Sequence, residues 1–335
     1  MTPPAMRSGG NDMRMTTLPM TSPCMLWNAS NSGTRTARRT GTTSAAAAAP
    51  AAAAPAAAAP AAAAAPAWAW LIAAMALILT TPAALGAPAP ITPSSAAECP
   101  GCMLPTDEIQ VYDAEITEVG RWNVVWHNNF TPQAQTVPDF AGGVVPDHTL
   151  NGVPEWAYGL RPWLELGAYV PIYSYTARGQ LLFDGVKLRT LFVVPHAADR
   201  KFFYGLNFEY SYNEARWDPS RFTAEMRPII GTHLGPWDLI INPVLDTDLT
   251  ALKNFTFAPE ARVAYNFSSK LALAGEWYAE FGPVTDFLPE RLQGQNLFAV
   301  VDLGSSSHGI EFGVGHGYTR GSTPLIFKLM LMQDF

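Results

Sequence analysis

The stretch KFFYGLNFEYSYN, residues 201–213, alternates two chemical characters with a period of two. Phe202, Tyr204, Leu206, Phe208, Tyr210 and Tyr212 fall on one side, and Gly205, Asn207, Glu209 and Ser211 on the other. Successive side chains of an extended strand point to opposite faces. One face of this segment therefore suits lipid and the other suits water.

The pattern recurs on both sides of it. Residues 221–233 set Phe222, Ala224, Met226 and Ile230, with Leu234 just beyond, against Thr223, Glu225, Arg227 and His233. Residues 256–267 set Phe257, Ala261, Val263, Tyr265 and Phe267 against Glu260, Arg262 and Asn266. From residue 120 onward twelve such runs follow one another: 120–130, 153–160, 163–174, 182–194, 201–213, 221–233, 237–247, 256–267, 270–282, 294–303, 308–318 and 324–335. No amphipathic helix interrupts them, and a tilted strand crosses a bilayer in about 9–11 residues. The expected fold is all-β: a closed, transmembrane, antiparallel up-and-down β-barrel of twelve strands. A soluble two-sheet β-protein would also alternate, but its strands would not be this long, this aromatic, or paired by loop length.

Connection lengths supply an independent check. Segments 131–152, 175–181, 214–220, 248–255 and 283–293 follow odd-numbered runs, whereas Arg161-Pro162, 195–200, 234–236, Ser268-Ser269 and 304–307 follow even-numbered ones. Barrels of the bacterial outer membrane have short periplasmic turns and longer outer loops, so both termini are expected on the periplasmic side. Trp122, Trp163 and Trp237 then fall in an inner aromatic girdle, with Tyr173, Tyr210, Tyr212, Phe222, Phe255 and Tyr318 near an outer one. Pro171, Pro228, Pro243 and Pro259 each remove a ladder donor and point to bulges.

The first quarter of the chain is different. Residues 1–43 are polar, and 45–66 is an alanine tract broken by Pro50, Pro55, Pro60 and Pro66, so no packed core follows from either. The run AWAWLIAAMALIL, 67–79, reads as the apolar core of a secretory signal. Pro66 and Pro82 confine it, and a spanning helix needs roughly twenty apolar residues. Ala84 and Gly86 suit a cleavage site, which divides the chain into a leader with signal peptide (1–86), a periplasmic N-terminal segment (87–119) and the barrel (120–335). Removing 1–86 takes five Arg and one Asp from 21 basic and 28 acidic residues, leaving 16 and 27 and a formal charge of −11. That balance argues against a nucleic-acid partner. Cys99 and Cys102, spaced Cys-Pro-Gly-Cys, are expected to form a local disulfide in an oxidising periplasm. A redox dithiol is the alternative; haem attachment would need His where Met103 stands.

The stretches FDGVKLRTLFVVPH (183–196), RPIIGTHLGPWDLIINP (227–243) and FAPEARVAYNFS (257–268) resemble the bacterial outer-membrane barrels grouped with a MetA-type channel of a phenol-degradation pathway. The resemblance spans about 108–335 and lies in overall pattern. It implies outer-membrane location and a transport-like role, hints at aromatic or apolar permeants, and supplies no functional residue.

Alternation places Lys187, Arg189, Glu209, Glu225, Arg227, Glu260, Arg262 and Glu276 on the inner wall at similar height, with Asp238 and Asn242 projecting between them from the seventh run. Such a band reads as a cross-strand ion-pair network that stiffens the lumen or as a constriction that selects permeants by charge, and the two are not exclusive. Lumen positions such as Asn207 are expected to tolerate substitution. No catalytic residue emerges, because none of the six histidines has a serine two positions on. Metal ligation and cofactors find no support in spacing either, since no His-x-x-x-His or carboxylate cluster recurs. Gly313, Gly315 and Gly317 face the lumen on one strand and leave room for something bulky, for which the segment 108–118 is a candidate, whether it plugs the lumen or lies beneath it. The expected function is a passive pore or facilitator for small organic solutes, with outer-membrane lipids and the assembly machinery as partners. A closed structural or adhesive barrel is the alternative, and an outer-membrane hydrolase a remote one.

The last run ends Leu325, Phe327, Leu329, Leu331 and then Phe335, an aromatic carboxy-terminus resembling the signal by which outer-membrane barrels are recognised for assembly. Deleting Phe335 is expected to reduce the yield of assembled barrel, measured by heat-modifiable migration in detergent gels, more than it changes permeation through the barrels that do assemble.

Overall fold

The structure, a computed structural model, describes residues 107–251, 254–304 and 308–335. The leader, the signal run 67–79 and the Cys99/Cys102 pair lie outside the described residues. The strands are β1 (Trp122–Gln133), β2 (Thr149–Arg161), β3 (Leu164–Tyr175), β4 (Leu181–Val193), β5 (Phe202–Asn213), β6 (Phe222–Leu234), β7 (Trp237–Thr247), β8 (Thr256–Ser268), β9 (Leu271–Glu280), β10 (Gly282–Pro283), β11 (Gly294–Gly304), β12 (His308–Gly317) and β13 (Leu325–Asp334). β10 is a two-residue ladder against Thr256 and Phe257. The other twelve are the expected spanning strands, 10 to 13 residues long, which meets the length a tilted crossing needs.

Every spanning strand pairs antiparallel with its sequence neighbours, and β1 pairs with β13 from Asn123↔Asp334 to Phe130↔Phe327. That last ladder closes the sheet and leaves no edge. β2 begins earlier than the alternation suggested, because Thr149–Gly152 continue the ladder opposite Asn128–Thr131. Register shifts flank Pro154 and Pro171, and the β6–β7 ladder lapses between Met226↔Leu245 and Ile230↔Ile241, where Pro228 and Pro243 have no N–H to donate. Pro259 stays in register opposite Pro243.

Side chains sort by phase. Outside stand Trp122, Leu188, Phe202, Tyr204, Ile241 and Val263, all exposed. Inside stand charged and amide groups at almost no exposure, described below. Trp163 stacks beside Phe192, and Tyr210 beside Phe222, in the aromatic bands near the two rims. The glycine stripe of β12 leaves room, as expected, but the space at Gly313 and Gly315 is taken by neighbouring strands and that at Gly317 by the connection carrying Ser322 and Thr323. A Cβ at Gly315 would stand 2.3 Å from the Phe298 ring, and one at Gly313 2.8 Å from the Lys328 side chain. The segment 108–118 is not what fills those gaps.

Two loops at the long-connection end carry buried carboxyls. Burial pushes Asp139 up to about 7 against a bond from Gln135, and pushes Asp218 up to about 7 against a bond from the Ser220 N–H. A folded pKa above the unfolded value of about 3.9 means stability that is complete below pH ~4 and lost as pH rises through ~7. Loops 134–148 and 214–221 are therefore expected to resist proteases better at pH 5 than at pH 8, and Asp139→Asn with Asp218→Asn to flatten that dependence. A pH-independent cleavage rate in the parent protein would contradict this.

The sidedness of the wall carries its own test. Arg at outward-facing Leu206, Val263 or Leu329 is expected to cost about 2–4 kcal/mol at the midplane of a bilayer and to depress assembly into vesicles. Asn207 was expected to be the tolerant control, but it is fully buried and donates to Tyr112 Oη and Glu209 Oε1. Asn207→Ala is now expected to impair folding as well, because it strips hydrogen bonds from a buried cluster.

Candidate functional site

Strand alternation supplies the inner wall, and the barrel's closure buries it. All nine wall residues expected to face the lumen do so: Lys187, Arg189, Glu209, Glu225, Arg227, Asn242, Glu260, Arg262 and Glu276 each have 6% exposure or less. The pleat brings them into three linked groups.

In the first group, Lys187 Nζ lies 2.7 Å from Asp107, 3.2 Å from Glu108 and 3.9 Å from Glu209. Arg189 reaches Glu155 at 2.9 Å and Glu165. In the second, Arg227 grips both oxygens of Glu225 through Nε and Nη2 at 2.7 and 3.0 Å and donates from Nη1 to Glu260 at 3.1 Å. This fork is the geometry in which a guanidinium is strongest. In the third, Arg262 contacts Glu276 and Asp302 and lies 3.6 Å from Glu311, while Lys328 bonds Glu276 at 2.5 Å and Glu311 at 2.6 Å.

The centre of the lumen is not empty. Residues 107–119, part of the segment expected to be periplasmic, thread through it. Asn242 takes the Tyr112 N–H on its Oδ1 at 2.7 Å and donates from Nδ2 to the Tyr112 carbonyl at 3.1 Å, standing in for a neighbouring strand. Arg227 donates to the Gln110 carbonyl and Lys328 to the Ile109 carbonyl. Tyr112 gives its hydroxyl proton to Glu209 at 2.9 Å, and its ring lies under the Arg227 guanidinium, 4.7 Å from the ring centroid. Ile109, Val111 and Ala114 pack with Leu191, Phe203, Ile229, Ile240, Phe298 and Ile326 in one apolar cluster. A two-residue alternation in 109–112 serves both sets of contacts.

Sequence reasoning missed much of this set. Glu155 and Glu165 share the inward phase of their strands, and Lys328 that of β13, so alternation carried into those runs would have found them. Asp107, Glu108 and Tyr112 belong to no spanning run; the short alternation of 108–118 made that segment a candidate for the lumen, but nothing in it marked these side chains as partners of the wall. Sequence spacing offers no metal-ligand pattern, but the fold brings one group together: Glu108, His127 and Glu155 converge, with ligand-type atoms all within 4.8 Å of one another. They are distant in sequence, and only the fold brings them together. At the short-turn end a recess remains, lined by Asp113, Asp238, Arg262, Asn266, Lys270 and Asp302 among others.

No protein-family model matches the chain. No curated protein matches it. Among solved structures, the chain is similar to an outer membrane channel from Pseudomonas putida F1, at 12% identity and a TM-score of 0.49, over 68% of this chain and 100% of that one. It is also similar to the KdgM porin in complex with disordered oligogalacturonate, at 8% identity and a TM-score of 0.40, over 64% and 99%. The NanC porin aligns at 7% identity and a TM-score of 0.42, over 64% and 98%.

Proposed function

We propose that the chain is an exported bacterial outer-membrane channel for small organic solutes, closed at mid-height by residues 107–119 in the state described. The observation that carries this reading is the polarity of one closed wall, apolar outside and charged inside. A continuous apolar belt in water would drive association, whereas a bilayer covers it. Acidic and basic groups facing one another across a lumen create a transverse field that selects and orients polar permeants. The segment stands outside the strand ladder, touching it among the described residues through the isolated bridge Val119↔Gly159. Apart from that one bridge, it can leave without breaking a ladder between spanning strands. In this reading the protein is no enzyme, its partners are outer-membrane lipids and the assembly machinery, and its permeants are small molecules.

A second reading, a closed structural or adhesive barrel, is favoured by the apolar contacts of Ile109, Val111 and Tyr112. Each such side chain stabilises the filled lumen by about 1.5–3 kcal/mol, which displacement has to overcome.

Single-channel recording in planar bilayers separates the two. The wild type is expected to show small, infrequent openings, and a variant lacking 107–119 a larger and steadier conductance. Arg227→Ala and Arg262→Ala leave carboxylates unbalanced in the lumen and are expected to shift selectivity toward cations. If removing the segment yields no conductance from folded barrels, the structural reading holds. If the barrel conducts and neither substitution alters selectivity, the pore stands and these two arginines are not its filter.

A further inference from the structure

Three fully buried side chains meet in the lumen from separate parts of the chain: Glu108 from the central segment, His127 from β1 and Glu155 from β2. His127 Nε2 is 3.2 Å from Glu155 Oε2 and 3.8 Å from Glu108 Oε1. With all three ligand atoms within 4.8 Å of one another, the centre of their triangle lies on the order of 2 Å from each. That is close to the roughly 2.0–2.2 Å at which Zn²⁺ holds imidazole nitrogen and carboxylate oxygen.

We propose that these residues form a divalent transition-metal site that ties the central segment to the barrel wall. The surrounding groups aim the ligands. Lys187 Nζ donates to the other oxygen of Glu108 at 3.2 Å, and the Arg189 guanidinium forms an ion pair with the other oxygen of Glu155, Nη1 to Oε1 2.9 Å. Each carboxylate has one oxygen beside a base and the other toward His127 Nε2, the kind of arrangement by which supporting groups orient metal ligands. Charge points the same way. Asp107, Glu108, Glu155, Glu165 and Glu209 are buried around two bases, Lys187 and Arg189, an excess of carboxyl groups over bases that a dication can balance in place of protons.

A proton on Nε2 serves one of the two converging carboxylates, whereas a cation at the centre serves both. His127 Nδ1 meets no hydrogen-bond partner among the described residues, and Nε2 lies 3.2 Å from Glu155 Oε2, so a cation bound at Nε2 would take the place of a proton shared with that one carboxylate. One imidazole and two carboxylates suit Zn²⁺, Co²⁺, Ni²⁺ or Mn²⁺ rather than a soft monovalent ion. The site is a property of the folded barrel and holds whether or not the barrel conducts.

The test uses the full chain purified in detergent, with Cys99→Ser and Cys102→Ser so that thiolates do not compete. After removal of metal with EDTA, the protein is equilibrated with Zn²⁺ and its metal content counted. One Zn²⁺ per chain is expected near neutral pH, with affinity falling as pH falls because the ligands must give up their protons. His127→Asn and Glu155→Gln, checked for folding by heat-modifiable migration, are expected to weaken binding by more than the roughly 10–100-fold that loss of a supporting group costs. Co²⁺ in place of Zn²⁺ should give visible absorption bands that change in the same variants. Should a variant fail to fold, the wild type supplies the answer, since Zn²⁺ must raise its unfolding temperature above that in EDTA. A wild type that retains no Zn²⁺ and gains no thermal stability from it overturns the proposal, as does a folded His127→Asn barrel that binds Zn²⁺ like its parent.

Discussion

Everything inside this molecule depends on the β1–β13 ladder. Pairing of Asn123 through Phe130 with Asp334 through Phe327 turns a twelve-stranded ribbon into a cylinder. An open sheet would leave Lys187, Arg227 and Glu276 facing bulk water, where ion pairs contribute little. Closure removes that water and makes every charge require a partner. The ion-pair groups on the wall are consequences of that enclosure rather than its cause.

Enclosure also explains why the central segment is held as it is. A segment inside a charged lumen must satisfy its own backbone, and Asn242, Arg227 and Lys328 supply the groups that do so for Ile109, Gln110 and Tyr112. The same three residues would line an open passage if the segment were withdrawn. Their bonds to it are side chain to backbone, unlike the wall's continuous backbone ladders, so wall and segment differ in how readily each can move. Tyr112 joins the two kinds of contact, its ring against a guanidinium and its hydroxyl on Glu209.

Asymmetry between the ends follows from the connections. One end has turns as short as Gly235-Pro236, with little chain to fold over the lumen; the other has longer loops that bury Asp139 and Asp218. Buried carboxyls at that end, ion pairs at mid-height and a recess at the short-turn end give the lumen three chemically distinct zones along its axis.

The sequence by itself determined the strand count, the antiparallel order and the inside-outside phase, because a period-two pattern has one solution once one face must be apolar. Glu209 and Phe208 could not exchange sides without placing a carboxylate in lipid. Only the tertiary structure decided which inward groups meet, since Glu108, His127 and Glu155 come from different parts of the chain and their convergence depends on strand register and lumen width. It alone placed residues 107–119 within the barrel, for a segment with no ladder to join carries the same short alternation inside a lumen or beneath it. It also set Asn207 in a buried hydrogen-bonded cluster rather than on an open lining, because its partner Tyr112 is brought to it by the fold.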